Sequence, residues 1–108
     1  MPTLVLPTEK ITDWLSFHAE CAQLFGFPKF YGKNMNAWID CLSYLDEEDG
    51  MSNVKLQPGE NLSLHIPEFK MFAKNYPDIC SALLECTSFV NERYVEANQA
   101  FRIVLVLE

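Results

Sequence analysis

The side chains best placed to do chemistry lie between Lys33 and Lys55, a stretch that holds Asp40, Asp46, Glu47, Glu48 and Asp49 and no basic residue. Five carboxylates over residues 34–54 make a local negative field, which reads either as a solvated face, the usual meaning of a charge run, or as a docking surface for something basic. Asn36, Asp40, Ser43 and Glu47 follow at intervals of three and four, so a helix through them carries all four on one polar stripe. Such a stripe offers charge and hydrogen-bonding groups, the chemistry of docking rather than of bond making. Cys41 beside Asp40 does not alter this. Neighbouring helix positions point about 100° apart, which turns the thiol toward the apolar side.

No catalytic constellation is visible elsewhere. The chain has no Gly-rich phosphate loop, no Gly-x-Ser-x-Gly and no His-Glu-x-x-His, and His18 and His65 stand 47 positions apart. An enzyme is not expected. His18 and Cys21 are three apart but lack a second pair of ligands, and the acidic run 46–50 lacks the alternating spacing of a calcium loop, so no metal or other cofactor is expected. Cys21, Cys41, Cys80 and Cys86 form no Cys-x-x-Cys pair and are expected to be reduced, mostly buried thiols of a cytoplasmic protein. Residues 1–7 show no basic leader, and no run approaches the eighteen apolar residues of a membrane span, so neither export nor membrane insertion is expected. With 8 basic against 15 acidic residues, a net charge of −7, direct nucleic-acid binding is not expected, since such a chain repels a phosphate backbone rather than releasing its counter-ions.

Holding these groups in place takes a scaffold. A chain of 108 residues, 49% of them apolar, is enough for one domain over residues 1–108; at this size about two thirds of the unfolded surface is buried. Residues 3–6 are a short apolar run closed by Pro7, the pattern of a strand. Thr12 is expected to cap a first helix, along which Ile11, Trp14, Leu15, His18, Ala22 and Phe25 repeat at helical spacing until Gly26 and Pro28 stop it. His18 falls on that stripe and reads as a packed, structural imidazole.

Asn34 is suited to cap a second helix whose core side is Met35, Trp38, Leu42 and Leu45, with Cys41 beside them. Residues 46–60, with Asp49-Gly50 and Pro58-Gly59, read as a loop of about fifteen residues, long enough to be mobile. Over 61–66, Leu62, Leu64 and Ile66 alternate with Ser63 and His65, a strand with one buried face. Pro67 suits the first turn of a short third helix with Phe69, Phe72 and Ala73. Pro77 and Asp78 open a fourth, with Ile79, Leu83, Leu84, Thr87, Val90 and Tyr94 on its inner side. Residues 101–107 are apolar apart from Arg102, as in a strand covered on both faces. Strands separated by helices pair in parallel, so the expected fold is α/β: a three-stranded parallel sheet packed with about four helices.

Within this layout the segment Pro28-Lys29-Phe30-Tyr31-Gly32-Lys33-Asn34-Met35-Asn36-Ala37-Trp38-Ile39-Asp40-Cys41-Leu42 closely resembles the signature of the barstar family, small intracellular inhibitors of secreted barnase-type ribonucleases. A proline, an aromatic pair, Gly-x-Asn and an acidic helix ending in Asp-Cys-Leu recur there in this order. The rest of the chain agrees in element order with diffuse sequence similarity, and the loop 46–60 is longer than the family's usual connection. The resemblance implies a non-enzymatic, barstar-like protein with Asp40 as its central acidic anchor, standing where the nuclease would hold an RNA phosphate. Asn36 matches a second anchor that is normally aspartate, so it keeps hydrogen bonding without the charge.

Phe30 matches a tyrosine position and keeps the ring without the hydroxyl, while Tyr31 matches a packing position. Ile39 stands where the family often exposes a tryptophan, and Trp38 falls on the core side. Ser43 and Glu47 extend the same stripe, and Glu92 is the nearest match to an acid that the fourth helix commonly contributes. The implied partner is a basic ribonuclease or nuclease toxin, against which the chain, monomeric when free, serves as a cytoplasmic immunity protein. The alternative left open is a barstar-like interaction module for a different basic protein.

Overall fold

A computed structural model of the chain describes residues 2–108. Strand β1 (Thr3–Val5) and a 3-10 turn (Thr8–Lys10) lead into helices α1 (Trp14–Phe25) and α2 (Met35–Leu42). Strand β2 (Leu62–Ile66), helices α3 (Phe69–Asn75) and α4 (Pro77–Glu96) and strand β3 (Ile103–Leu107) complete the order. The sheet runs β1-β2-β3, parallel throughout, with a pair of helices in each crossover. This is the expected α/β, barstar-like architecture.

Pairing aligns Leu4, Leu64 and Leu105 in one row, and these join Leu62, Ile66 and Ile103 on the side of the sheet that faces the core. The opposite row, Thr3–Ser63–Val104 and Val5–His65–Val106, looks outward, and Val5 and Val104 remain 54% and 41% exposed. The expectation that the last strand is covered on both faces is therefore wrong. In a sheet of order 1-2-3, right-handed crossovers place both helical connections on the same side, so the other side has no layer over it. On that open side His65 Nδ1 lies 3.1 Å from Glu108 Oε1.

Helix α1 is capped by Asp13, not Thr12. The Asp13 carboxylate accepts the Ser16 N–H at 2.7 Å and Ser16 Oγ accepts the Asp13 N–H at 3.0 Å, a reciprocal pair that Thr12 is one residue too early to make. Its buried line is Phe17, His18, Cys21 and Phe25, while Leu15 points outward at 66% exposure. Gly26 ends the helix at φ 69°, and a Cβ there would lie 2.2 Å from the Asn53 side chain.

That contact belongs to a wider attachment of the loop 46–60. Phe25 O accepts both the Asn53 N–H (2.8 Å) and Ser52 Oγ (2.6 Å), the Leu56 N–H donates to Leu45 O (2.7 Å), and Leu56 is buried. The loop lacks regular structure, yet it is fastened to the core.

Pro67 lies in the turn before α3 rather than inside it, and its carbonyl accepts Thr8 Oγ1 at 2.9 Å. Along α4, Ile79, Leu83, Thr87, Val90 and Tyr94 are buried, whereas Leu84 is exposed because it sits about 100° round from Leu83. Asn91 accepts the Ile103 N–H at 2.8 Å and donates to Ile103 O at 2.9 Å, clasping the start of β3 to α4. Among the described residues no helix is long and apolar enough to cross a membrane.

Candidate protein-binding site

With only eight residues, α2 is too short to be stable alone, so its order must come from its two ends and its buried face. At the entry, Asn34 is extended and its Oδ1 accepts the Ala37 N–H at 2.8 Å. Just before it, the Tyr31 hydroxyl meets His18 Nδ1 at 2.6 Å in a buried contact. Burial pushes the His18 pKa down and the Tyr31 pKa up, so a neutral imidazole and a protonated phenol share this hydrogen bond. The imidazole also stacks on Trp14, ring centroids 5.8 Å apart. His18 thus fixes the segment that leads into α2, the structural role expected of it.

At the exit, the Ser43 N–H donates to Asp40 O (3.2 Å) and Ser43 Oγ to Ile39 O (2.6 Å), which tightens the last turn. The Tyr94 hydroxyl of α4 donates to Leu42 O at 2.5 Å and accepts the Leu45 N–H at 3.1 Å. Burial pushes the Tyr94 pKa up to about 12, so this hydroxyl keeps its proton. Between the two ends Trp38, Cys41 and Leu42 are buried, with Trp38 edge-on to Phe25.

The opposite side is what the molecule displays. Asn36 and Asp40 are exposed on α2, Ser43 and Ile39 are half-buried beside them, and Phe30 stands 78% exposed ahead of the helix. Glu47 departs from the expected stripe. The helix stops at Leu42 because Ser43 bonds back onto it, and residues 43–46 turn instead, leaving Glu47 exposed beyond the helix with its carbonyl accepting Lys55 Nζ at 3.0 Å. Glu47 still shares a hollow with Ser43, Tyr44, Asp46 and Arg93, while Glu92 lines a separate notch with Phe89, Arg93 and Glu96.

Both depressions are bordered by Arg93, a residue that sequence reasoning missed. Its Nη1 lies 3.1 Å from Asp40 Oδ1 and 3.1 Å from Ser43 Oγ, and its guanidinium sits 5.2 Å above the Phe89 ring. The pair bridges 53 positions of sequence, so no local pattern announces it. The one available signal is that Arg93 is the sole basic residue between Lys74 and Arg102.

The titratable side chains are taken up in separate pairs. His18 is engaged by Tyr31, His65 by Glu108 and Asp40 by Arg93. Burial raises the pKa of Cys41 and pushes that of Cys21 up to about 12, so both remain unreactive thiols. Among the described residues no three of the His, Cys, Asp and Glu side chains gather as a metal site would require. The arrangement offers binding chemistry: a carboxylate and an amide on a helix whose other side is locked into the core, a guanidinium from α4 against that carboxylate, and an exposed ring ahead of the helix.

No curated protein sequence matches the chain significantly. The model of one protein family does, Barstar (barnase inhibitor), and it matches residues 1–106, which include every strand and helix up to all but the last residue of β3. By that match, together with the three parallel strands and the presentation of α2, the chain belongs to the barstar (barnase inhibitor) family.

Proposed function

We propose that this chain is an intracellular inhibitor of a barnase-type ribonuclease or related nuclease toxin, a single unit of residues 1–108 that plugs the nuclease's basic active site with α2. A ribonuclease binds a polyanion and must gather cationic side chains in its cleft; a carboxylate on a rigid helix fills the phosphate position and is not cleaved. The observation that carries this reading is Asp40 itself. Its side chain is 56% exposed, on a helix whose Trp38 and Leu42 are fully buried, in a chain of this family. Asn36 adds hydrogen bonding and Phe30 an apolar ring, while Ile39, Ser43 and Glu47 border the contact.

The test is inhibition of a barnase-type ribonuclease, in reducing buffer, by the wild-type chain and by Asp40→Ala. Truncating one partner of a buried charge pair costs about 2–5 kcal/mol, so binding should weaken about 30- to 4,000-fold. Neutralising Asp46, Glu48 or Asp49 should instead alter mainly association rate and salt dependence, because exposed charges steer from solvent and are screened. Larger losses from these loop acids than from Asp40 would overturn the assignment.

A second reading has its own support: Asn36 carries no charge, and Asp40 already holds a counter-ion in Arg93. In that reading the chain is a barstar-like module for a different basic protein. Full nuclease activity in the presence of excess folded chain would select it.

A further inference from the structure

We infer that Arg93 is a second recognition residue of this surface, and that its open edge receives a side-chain carboxylate of the partner beside the cation that pairs with Asp40. This rests on the reading of α2 as the binding face.

The argument begins with the donors of the guanidinium. Arginine has five N–H groups in a rigid plane, and here Nη1 alone is used, on Asp40 Oδ1 and Ser43 Oγ. Among the described residues, Nε and Nη2 make no hydrogen bond, although Glu92 and Glu96 stand in the same notch. Those two nitrogens form the side-on edge of the fork, the one that matches both oxygens of a carboxylate at once. The group is held at Nη1 by Asp40 and Ser43 and lies over the Phe89 ring, yet 40% of the side chain remains exposed. An arginine fixed in this way loses little further freedom on binding, which favours direct contact over a merely screening role.

Asp40 leads to the same conclusion from the other side. Only its Oδ1 is engaged, so Oδ2 is left for a partner cation. The displayed unit is thus a carboxylate and a guanidinium side by side, rather than a bare negative charge. A uniformly basic cleft meets repulsion from Arg93, whereas a cleft that sets a carboxylate next to a lysine or arginine satisfies both halves. Arg93 therefore selects among basic partners.

The experiment uses a barnase-type ribonuclease as probe and measures its dissociation constant with wild type, Arg93→Gln, Arg93→Lys and Asp40→Ala, each first shown to unfold at the wild-type temperature. Each active-site carboxylate of the nuclease is then neutralised in turn against Arg93→Gln. The expected result is a loss of tenfold or more in Arg93→Gln and incomplete recovery in Arg93→Lys, whose ammonium cannot make the two-pronged contact. One nuclease carboxylate should couple to Arg93, its neutralisation and Arg93→Gln together costing less than the product of the two separate losses.

Equal or tighter binding by Arg93→Gln would overturn the inference, since Arg93 would then only screen Asp40. If Asp40→Ala abolishes binding and Arg93→Gln does not weaken it, the inference fails and the α2 anchor stands. If Arg93→Gln weakens binding and Asp40→Ala does not, the anchor fails and Arg93 stands. Absence of binding by every variant overturns both.

Discussion

Removing one hydroxyl tests how the displayed helix is held. Tyr94 is 3% exposed, and its oxygen serves two backbone groups, donating to Leu42 O at 2.5 Å and accepting the Leu45 N–H at 3.1 Å. Tyr94→Phe keeps the ring, which stays edge-on to Phe101 with centroids 4.6 Å apart, so little apolar burial is lost. What changes is that a buried acceptor and a buried donor lose their partner together. At about 1–1.5 kcal/mol each, the cost is about 2–3 kcal/mol. With an unfolding entropy of about 2.1 cal/mol/K per residue, each kcal/mol moves the melting temperature of a chain this long by about 4 °C, so Tm should fall by about 9–13 °C. Calorimetry reads this, with Tyr44→Phe as control: that ring is exposed, its hydroxyl makes no hydrogen bond among the described residues, and Tm should not move. Amide exchange gives the local readout, because the Leu45 N–H should lose protection in Tyr94→Phe ahead of its neighbours in the core. A fall in Tm below about 4 °C, or unchanged protection at Leu45, would refute the reasoning.

Two further perturbations address the other end of α2. Burial holds the folded-state pKa of His18 below its unfolded value of 6.5, and the groups around it, the Tyr31 hydroxyl and the Trp14 and Phe17 rings, include no carboxylate that would welcome its proton. The unfolded chain therefore takes up a proton more readily: stability should be full above pH 6.5 and decline as the pH falls below it. Urea titrations at pH 7.5 and pH 5.5 should show a fall in midpoint for wild type that His18→Gln lacks; equal slopes in the two proteins would contradict this. Asn34→Ala removes the cap on Ala37 and should cost about 1 kcal/mol in a urea titration, whereas Asn34→Asp, which keeps the acceptor, should cost almost nothing.

Much of α2 was legible because its signals are local. Asn34 as a cap and Met35, Trp38, Cys41 and Leu42 at helical spacing fix both the start of the helix and the side it buries. Once Trp38 is inside, Asp40 must point out. The misreadings arise where distant or competing interactions decide. Leu45 is buried as its spacing suggested, but a turn carries it inward and Tyr94 holds its N–H, so the pattern seemed to run on to Glu47 after the helix had stopped. The Ser43 hydroxyl, which bonds back to Ile39 O, is the local competitor that the periodicity hid.

For the last strand, an apolar run cannot distinguish two covered faces from one; that depends on which side both crossovers take. The attachment of the loop 46–60 uses Phe25 and Leu45 carbonyls, backbone groups that every residue has and no sequence marks. Arg93 was hidden because its meaning comes from Asp40, far away in the chain.

The two tyrosines explain why so short a helix can serve as a recognition surface. Tyr31 is tied to α1 through His18 before α2 begins, and Tyr94 reaches from α4 to the backbone where it ends. Both contacts are buried, both burial effects favour the protonated phenol, and neither hydroxyl is free to act on a partner. Their effect on binding is therefore indirect: an α2 already ordered in the free protein spares association the cost of ordering it. Loosening either end should weaken binding with the charges of the surface unchanged, mainly through faster dissociation and with little change in salt dependence. Altering Asp40 or Arg93 changes the field itself, so the salt dependence must change with the affinity. The salt slope thus separates residues that hold the helix from the charged residues of the surface.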